Sequence, residues 1–219
     1  MEFLTVVARF FQEGGAFMYP IVAMLILGLA IALERTLYLR STRVNNRKIW
    51  EAVAPLVAQG RYDAALSQTE ESDGALARVM SYGLARIKTA RRREDLEMAM
   101  EESMMEVLPQ LERRTPFLQV FANVATLLGL LGTIIGLIQG FQAVANVNPA
   151  EKANMLSASI SVAMNTTAFG LMCAIPLLLI HAWLQAKTTA LVDSLEMATV
   201  KFLNQFSESR ENHASAQQS

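Results

Sequence analysis

The sequence predicts an all-α integral membrane protein with three transmembrane helices and long helical extensions on the cytoplasmic side. Three observations predict it. There are three long uncharged runs, a dense and balanced set of charges between the first two, and apolar residues at helical spacing through that charged segment. Residues 14–33 carry no charge over 20 positions, residues 115–150 none over 36, and residues 153–186 none over 34. About 20 apolar residues cross a hydrocarbon core of roughly 30 Å. Three such runs in 219 residues exceed what a soluble core would require.

The first span is read as 14–34, preceded by an outward-facing segment, 1–13. That segment sets Arg9 against Glu2 and Glu13, whereas Arg35, Arg40, Arg43, Arg47 and Lys48 follow the span. A secretory signal has its positive charge before the apolar stretch, so this segment reads as an anchor. The positive-inside rule then places the following end in the cytoplasm. Residues 35–114 form the cytoplasmic helical domain. Glu34–Arg114 holds 14 of the 19 Lys and Arg residues beside 13 acidic ones, the mark of a solvated domain rather than a nucleic-acid surface. Within it Gly60 and Ser72-Asp73-Gly74 end successive helices. The run Arg91–Arg93, followed by Glu94, Asp95 and Glu97, reads as solvated. The amphipathic stretch from Leu96 to Leu111 leads without a glycine toward the second span, so a single kinked helix is expected there, with Pro109 and Pro116 as the kinks.

The second span is read as 115–146, the external turn as 147–152, and the third span as 153–186. Arg113, Arg114 and Lys187 flank the two spans on the cytoplasmic side. The short turn makes them an antiparallel hairpin. An amphipathic helix continues over 187–206, and the polar remainder, 207–219, reads as a disordered tail.

On the second span Thr126, Gly129, Thr133, Gly136 and Gly140 recur at intervals of 3 and 4, one stripe of a helix, with Gly132 beside them. The third span carries Ser159, Ala163, Thr166, Thr167, Gly170 and Ala174 in a similar stripe. Small residues let helix backbones approach, and hydroxyls supply interhelical hydrogen bonds, so helix packing alone accounts for Gly129, Gly132, Gly136, Gly140, Gly170 and Ala174. Two threonine-bearing stripes on adjacent helices point further, toward an ion path. Yet, apart from Glu34 at the cytoplasmic boundary of the first, the spans contain no Asp, Glu, Lys or Arg, and His181 near the end of the third sits beside Trp183 as an interfacial residue does. A proton pump or ion-coupled carrier normally needs an ionisable group at membrane depth, and if this chain conducts ions that group must come from another chain. The single cysteine, Cys173, makes no internal disulfide, and no His/Cys set has metal spacing. No nucleophile elbow or P-loop supports an enzyme, and no cofactor is called for.

Three segments resemble the ExbB/TolQ/MotA family of ion-driven motor and stator subunits, most closely its ExbB/TolQ branch. They are Tyr19-Pro20-Ile21 with Ala32-Leu33-Glu34-Arg35, then Leu130-Leu131-Gly132-Thr133-Ile134-Ile135-Gly136-Leu137, then Thr166-Thr167-Ala168-Phe169-Gly170-Leu171-Met172-Cys173-Ala174-Ile175-Pro176. The resemblance covers about residues 14–206. It implies a homo-oligomeric ring, a pentamer, in a bacterial inner membrane, enclosing a dimer of an ExbD/TolR/MotB-like protein with one span and a titrating Asp. It implies that Thr133 and Thr167 face that Asp along the ion path, with Thr166 and Thr126 beside them. It further implies a periplasmic effector, such as a TonB-like protein, and work on the envelope: TonB-dependent import, Tol-type maintenance or gliding. Two positions depart from the pattern. Val162 stands where ExbB-type members often carry Glu, and Thr166 where proton-driven members often carry Ala. Paired threonines resemble sodium-driven stators, and an added oxygen ligand suits a hard cation. The ExbB-like layout favours H⁺, with Na⁺ the alternative. A non-conducting scaffold, its small-residue helices serving only packing, is the competing class.

Overall fold

The computed structural model describes residues 14–216 apart from 88, 91 and 146, with 210–216 as backbone only. The N-terminal segment 1–13, Arg91 of the basic run and the last three residues of the tail lie outside the described residues. Among the described residues six helices follow in order: α1 Met18–Ala58, α2 Tyr62–Glu70, α3 Ala75–Arg86, α4 Arg93–Glu112, α5 Thr115–Ala145 and α6 Pro149–Ala216. Among the described residues, α1, α5 and α6 are long and apolar enough to cross a membrane. The described residues divide into two compact units, one made from 14–34 and 114–184, the other from 35–113 and 185–216.

The first, apolar unit packs the start of α1 against α5 and most of α6. Its interior is built from small residues: Ala122, Ala125, Ala163 and Ala174 are buried, with Leu118 and Leu177 among them. The large side chains point the other way. Ile26, Leu27 and Leu33 on α1, Leu127, Leu131 and Ile134 on α5, and Leu171, Ile175 and Leu179 on α6 are exposed. A soluble domain would bury these and expose its polar side chains. The inversion fits a surrounding lipid phase. Pro176 sits inside α6, which passes through it without a break; a proline is tolerated in such helices where neighbours hold the backbone.

In the second, charged unit, α1 from Arg35 onward, α2, α3, α4 and α6 from Gln185 onward share a core that includes Val53, Met80, Leu96, Met100 and Phe202. α1 stops where the sequence places the stop. Gly60 takes φ 71°, its N–H donates to the Val57 carbonyl at 3.0 Å, and the Arg61 N–H reaches the Leu56 carbonyl at 2.9 Å. This paired closure needs a residue in the left-handed region, which glycine enters without steric cost. Asn46 on α1 accepts the Leu76 N–H at 3.1 Å and so satisfies one free donor at the start of α3. Asp95 does the same for the Arg92 N–H at the start of α4, at 3.0 Å. The Arg35 guanidinium donates to the Leu111 carbonyl near the other end of α4, where a cation also suits the helix dipole.

Two expectations are corrected. The single kinked helix expected before the second span is two helices, broken at Arg113 and Arg114, with Arg114 in the left-handed region at φ 67°. In a continuous helix Pro116 would clash with the Glu112 carbonyl and offer it no N–H, whereas in the first turn of a new helix its missing donor has no cost. The tail expected to be disordered from 207 is helical as far as Ala216. Phe202, Phe206 and Ser209 are buried one turn after another, and the Tyr62 ring lies 5.8 Å from that of Phe206 with its hydroxyl bonded to Ser209. Those contacts carry α6 past the point where its apolar pattern fades.

Candidate functional site

The hairpin of α5 and α6 is held closest where both helices lack side chains. A Cβ added to Gly170 would lie 2.7 Å from the Ala125 carbonyl oxygen and 3.1 Å from the Gly129 Cα. One added to Gly129 would meet the Thr167 Cα at 3.2 Å and the Thr166 carbonyl oxygen at 3.3 Å. Further along, Gly136 abuts Ala163 and Gly140 abuts Ser159. Backbone-to-backbone contact of this kind is what small residues permit in membrane helices.

At this crossing the Thr167 hydroxyl donates to the Gly129 carbonyl at 2.8 Å. Thr166 turns elsewhere. It is buried, with its oxygen 2.7 Å from the Gly14 carbonyl and 2.9 Å from the Val162 carbonyl, while its methyl occupies the space that the absent Gly132 side chain leaves. The adjacent threonines therefore face different neighbours, and Thr166 joins α6 to the segment preceding α1. Thr133 and Thr126 each donate within their own helix, to Leu130 at 2.5 Å and Ala122 at 3.1 Å.

The stripe read on the second span separates into two edges. Gly129, Gly132 and Gly140 are buried and, with Gly136, look into the hairpin, while Thr126 is exposed and Thr133 half-exposed on the shoulder beside them. Ala174 is buried on α6. Polar residues not singled out in the sequence extend that shoulder: Gln119 and Asn123, both exposed, continue the line of Thr126 at the same spacing of 3 and 4. On α6, Asn154, Ser157, Ser161 and Asn165 form a polar line turned away from the packed face. Their spacing was visible, but uncharged amides and hydroxyls carry no strong signal unless they are sorted by helical face. Among the described residues no group of three His, Cys, Asp or Glu is placed to hold a metal.

A model of the MotA/TolQ/ExbB proton channel family matches residues 71–197, more than half of the chain. The chain belongs to the MotA/TolQ/ExbB proton channel family. A biopolymer transport protein ExbB homolog from Methanothermobacter thermautotrophicus is 31% identical over 199 residues, covering 90% of this chain and 69% of that one. The Tol-Pal system protein TolQ of Haemophilus influenzae is 32% identical over 108 residues, 49% of this chain and 45% of its own. The solved structure of C. jejuni MotAB has the same fold, with a TM-score of 0.52 at 18% identity over 94% of this chain and 86% of that one. Family membership and the three apolar helices agree on an inner-membrane protein.

Proposed function

We propose that this protein is the ring-forming subunit of a proton-driven motor of the MotA/TolQ/ExbB kind, and that a single-span ExbD/TolR/MotB-like partner supplies its titrating Asp. The observation that carries the reading is the Thr167–Gly129 bond at a hairpin crossing in spans that hold no acidic side chain. A hydroxyl that has donated its only hydrogen to a carbonyl keeps two lone pairs. Thr167 and Thr133 both donate to carbonyls and are both half-exposed. Each thus presents an acceptor to whatever stands beside it. Acceptors favour a protonated carboxylic acid over a carboxylate and also suit a cation. A partner Asp passing Thr133 and Thr167 is held in its proton-bearing form there and releases the proton elsewhere. Thr126 lies on the same shoulder as Thr133, and Thr166 fixes the backbone beside Thr167 from within the packing. Na⁺ in place of H⁺ fits the same acceptors.

In this reading residues 35–114 and the C-terminus are cytoplasmic, the N-terminus is periplasmic, and five copies enclose two partner chains. The work reaches the envelope through the partner and a TonB-like or Tol-like effector. Proton uptake into liposomes containing the chain with its partner tests the reading. Uptake that requires both chains supports it, and uptake indifferent to the partner overturns it.

A second reading, a non-conducting scaffold, draws on the same geometry, because every threonine hydroxyl of the site is already used within the fold. It predicts that Thr133→Val and Thr167→Val leave activity unchanged.

A further inference from the structure

Two exposed ridges of the charged unit are complementary to each other and cannot meet within one chain. On α1, Leu37 and Val44 stand one heptad apart, 59% and 55% exposed, on the side opposite buried Leu39, Ile49 and Val53. Arg40, Arg43, Arg47 and Lys48 flank them, all exposed. On α4, Met98 and Met105 stand one heptad apart, 69% and 74% exposed, on the side opposite buried Leu96, Met100 and Val107. Glu97, Glu101, Glu102 and Glu106 flank them, all exposed. Arg47 pairs with Glu51 at 2.8 Å, and among the described residues none of the other seven charges has an ion-pair partner in the chain. Arg40, Val44 and Lys48 of α1 border a groove whose α4 lining is Val107 and Gln110, on the side of α4 away from Met98 and Met105, so the two ridges do not face each other within the chain.

The levels of the two ridges also agree. The bond from Arg35 to the Leu111 carbonyl brings one end of each helix to the same height. Counted from it at 1.5 Å per residue, Arg40–Lys48 lies about 8–20 Å along α1 and Glu106–Glu97 about 8–21 Å along α4. With α1 and α4 taken as antiparallel, the two ridges lie at similar depths, as copies related by rotation without translation require. Unlike patches that meet by rotation alone close into a ring, whereas an added translation would give a filament.

We infer that the basic α1 ridge of one copy docks on the acidic α4 ridge of the next, with Val44 set between Met105 and Met98 at its apolar centre. This inference rests on the ring reading above and names the contact that forms it. The contact of Val44 with the two methionines provides the area removed from water. The flanking charges select the unlike ridge, since like ridges brought together would place arginines on arginines.

The test uses the full chain with its partner, in a Cys173→Ala background carrying Val44→Cys, Met105→Cys or both. On mild oxidation the double variant gives a covalent ladder, each single variant gives no cross-link, and an equimolar mixture of the two singles gives dimers only. Self-linking of either single variant overturns the unlike pairing. A double variant that stays unlinked, while native mass spectrometry of the same sample shows the oligomer, overturns the ridge contact and leaves the ring reading standing. Absence of any oligomer removes both. Charge reversal provides a second route. Arg43→Glu with Arg47→Glu lowers the oligomer yield, and adding Glu101→Arg with Glu102→Arg restores it; no restoration counts against the contact.

Discussion

The Thr167 hydroxyl reaches across the α5–α6 crossing to the Gly129 carbonyl, 2.8 Å away, at the level where Gly129 and Gly170 bring the two backbones together. Crossing and hydrogen bond depend on each other. The glycines allow the approach, and the approach lets a side chain as short as threonine span the gap.

Thr167→Val separates these roles. It nearly keeps volume and removes the donor. The Gly129 carbonyl lies inside α5, where its helical partner remains, so the loss should cost only about 0.6–1.7 kcal/mol. The oligomer should therefore persist in native mass spectrometry while ion-driven activity falls. Thr167→Ser, which keeps the hydroxyl, should recover most of the activity.

Glycine substitutions should rank by what their new Cβ meets. At Gly170 it meets the Ala125 carbonyl oxygen at 2.7 Å, a backbone atom that cannot rotate away. At Gly28 it meets the tip of Leu177 at 2.6 Å, a side chain with other rotamers. Gly170→Ala should lower stability by about 1–3 kcal/mol, and Gly28→Ala by clearly less. Thermal unfolding of the two detergent-solubilised variants gives the order directly, and equal losses would contradict the argument.

Gly60→Ala tests the end of α1. At φ 71° an alanine is strained by about 1 kcal/mol relative to glycine. The thermal midpoint should drop modestly without loss of assembly, because only the closure of one helix is affected.

Arg35 is buried and donates to the Leu111 carbonyl. Arg35→Ala removes a charge-assisted bond and leaves a cavity, with an expected loss of about 1.5–3 kcal/mol. Limited proteolysis within residues 35–113 should become faster, while the α5–α6 hairpin stays protected.

Much of this was legible in the sequence because it depended on local patterns. The three apolar runs, the stop at Gly60 and the small-residue stripes follow from length, glycine and periodicity. The direction of each threonine did not. Thr166 and Thr167 are neighbours in sequence, yet one turns to Gly14 and the other to Gly129, and only the packing of three helices decides between them. The break at Arg114 was missed because an arginine is a rare occupant of the left-handed region. Pro116 was the available clue, and it also fits a kink. The helical tail depends on contacts from Tyr62, more than 140 positions away, which periodicity does not register.

On the reading proposed above, the α5–α6 hairpin serves an ion path rather than packing alone. Proton flux into liposomes holding the chain with its single-span partner tests it most directly, comparing wild type with Thr167→Val at equal oligomer content. Flux should require the partner and fall about tenfold or more in the variant, at least about 1.4 kcal/mol on the barrier. Undiminished flux through the Thr167→Val complex would contradict it.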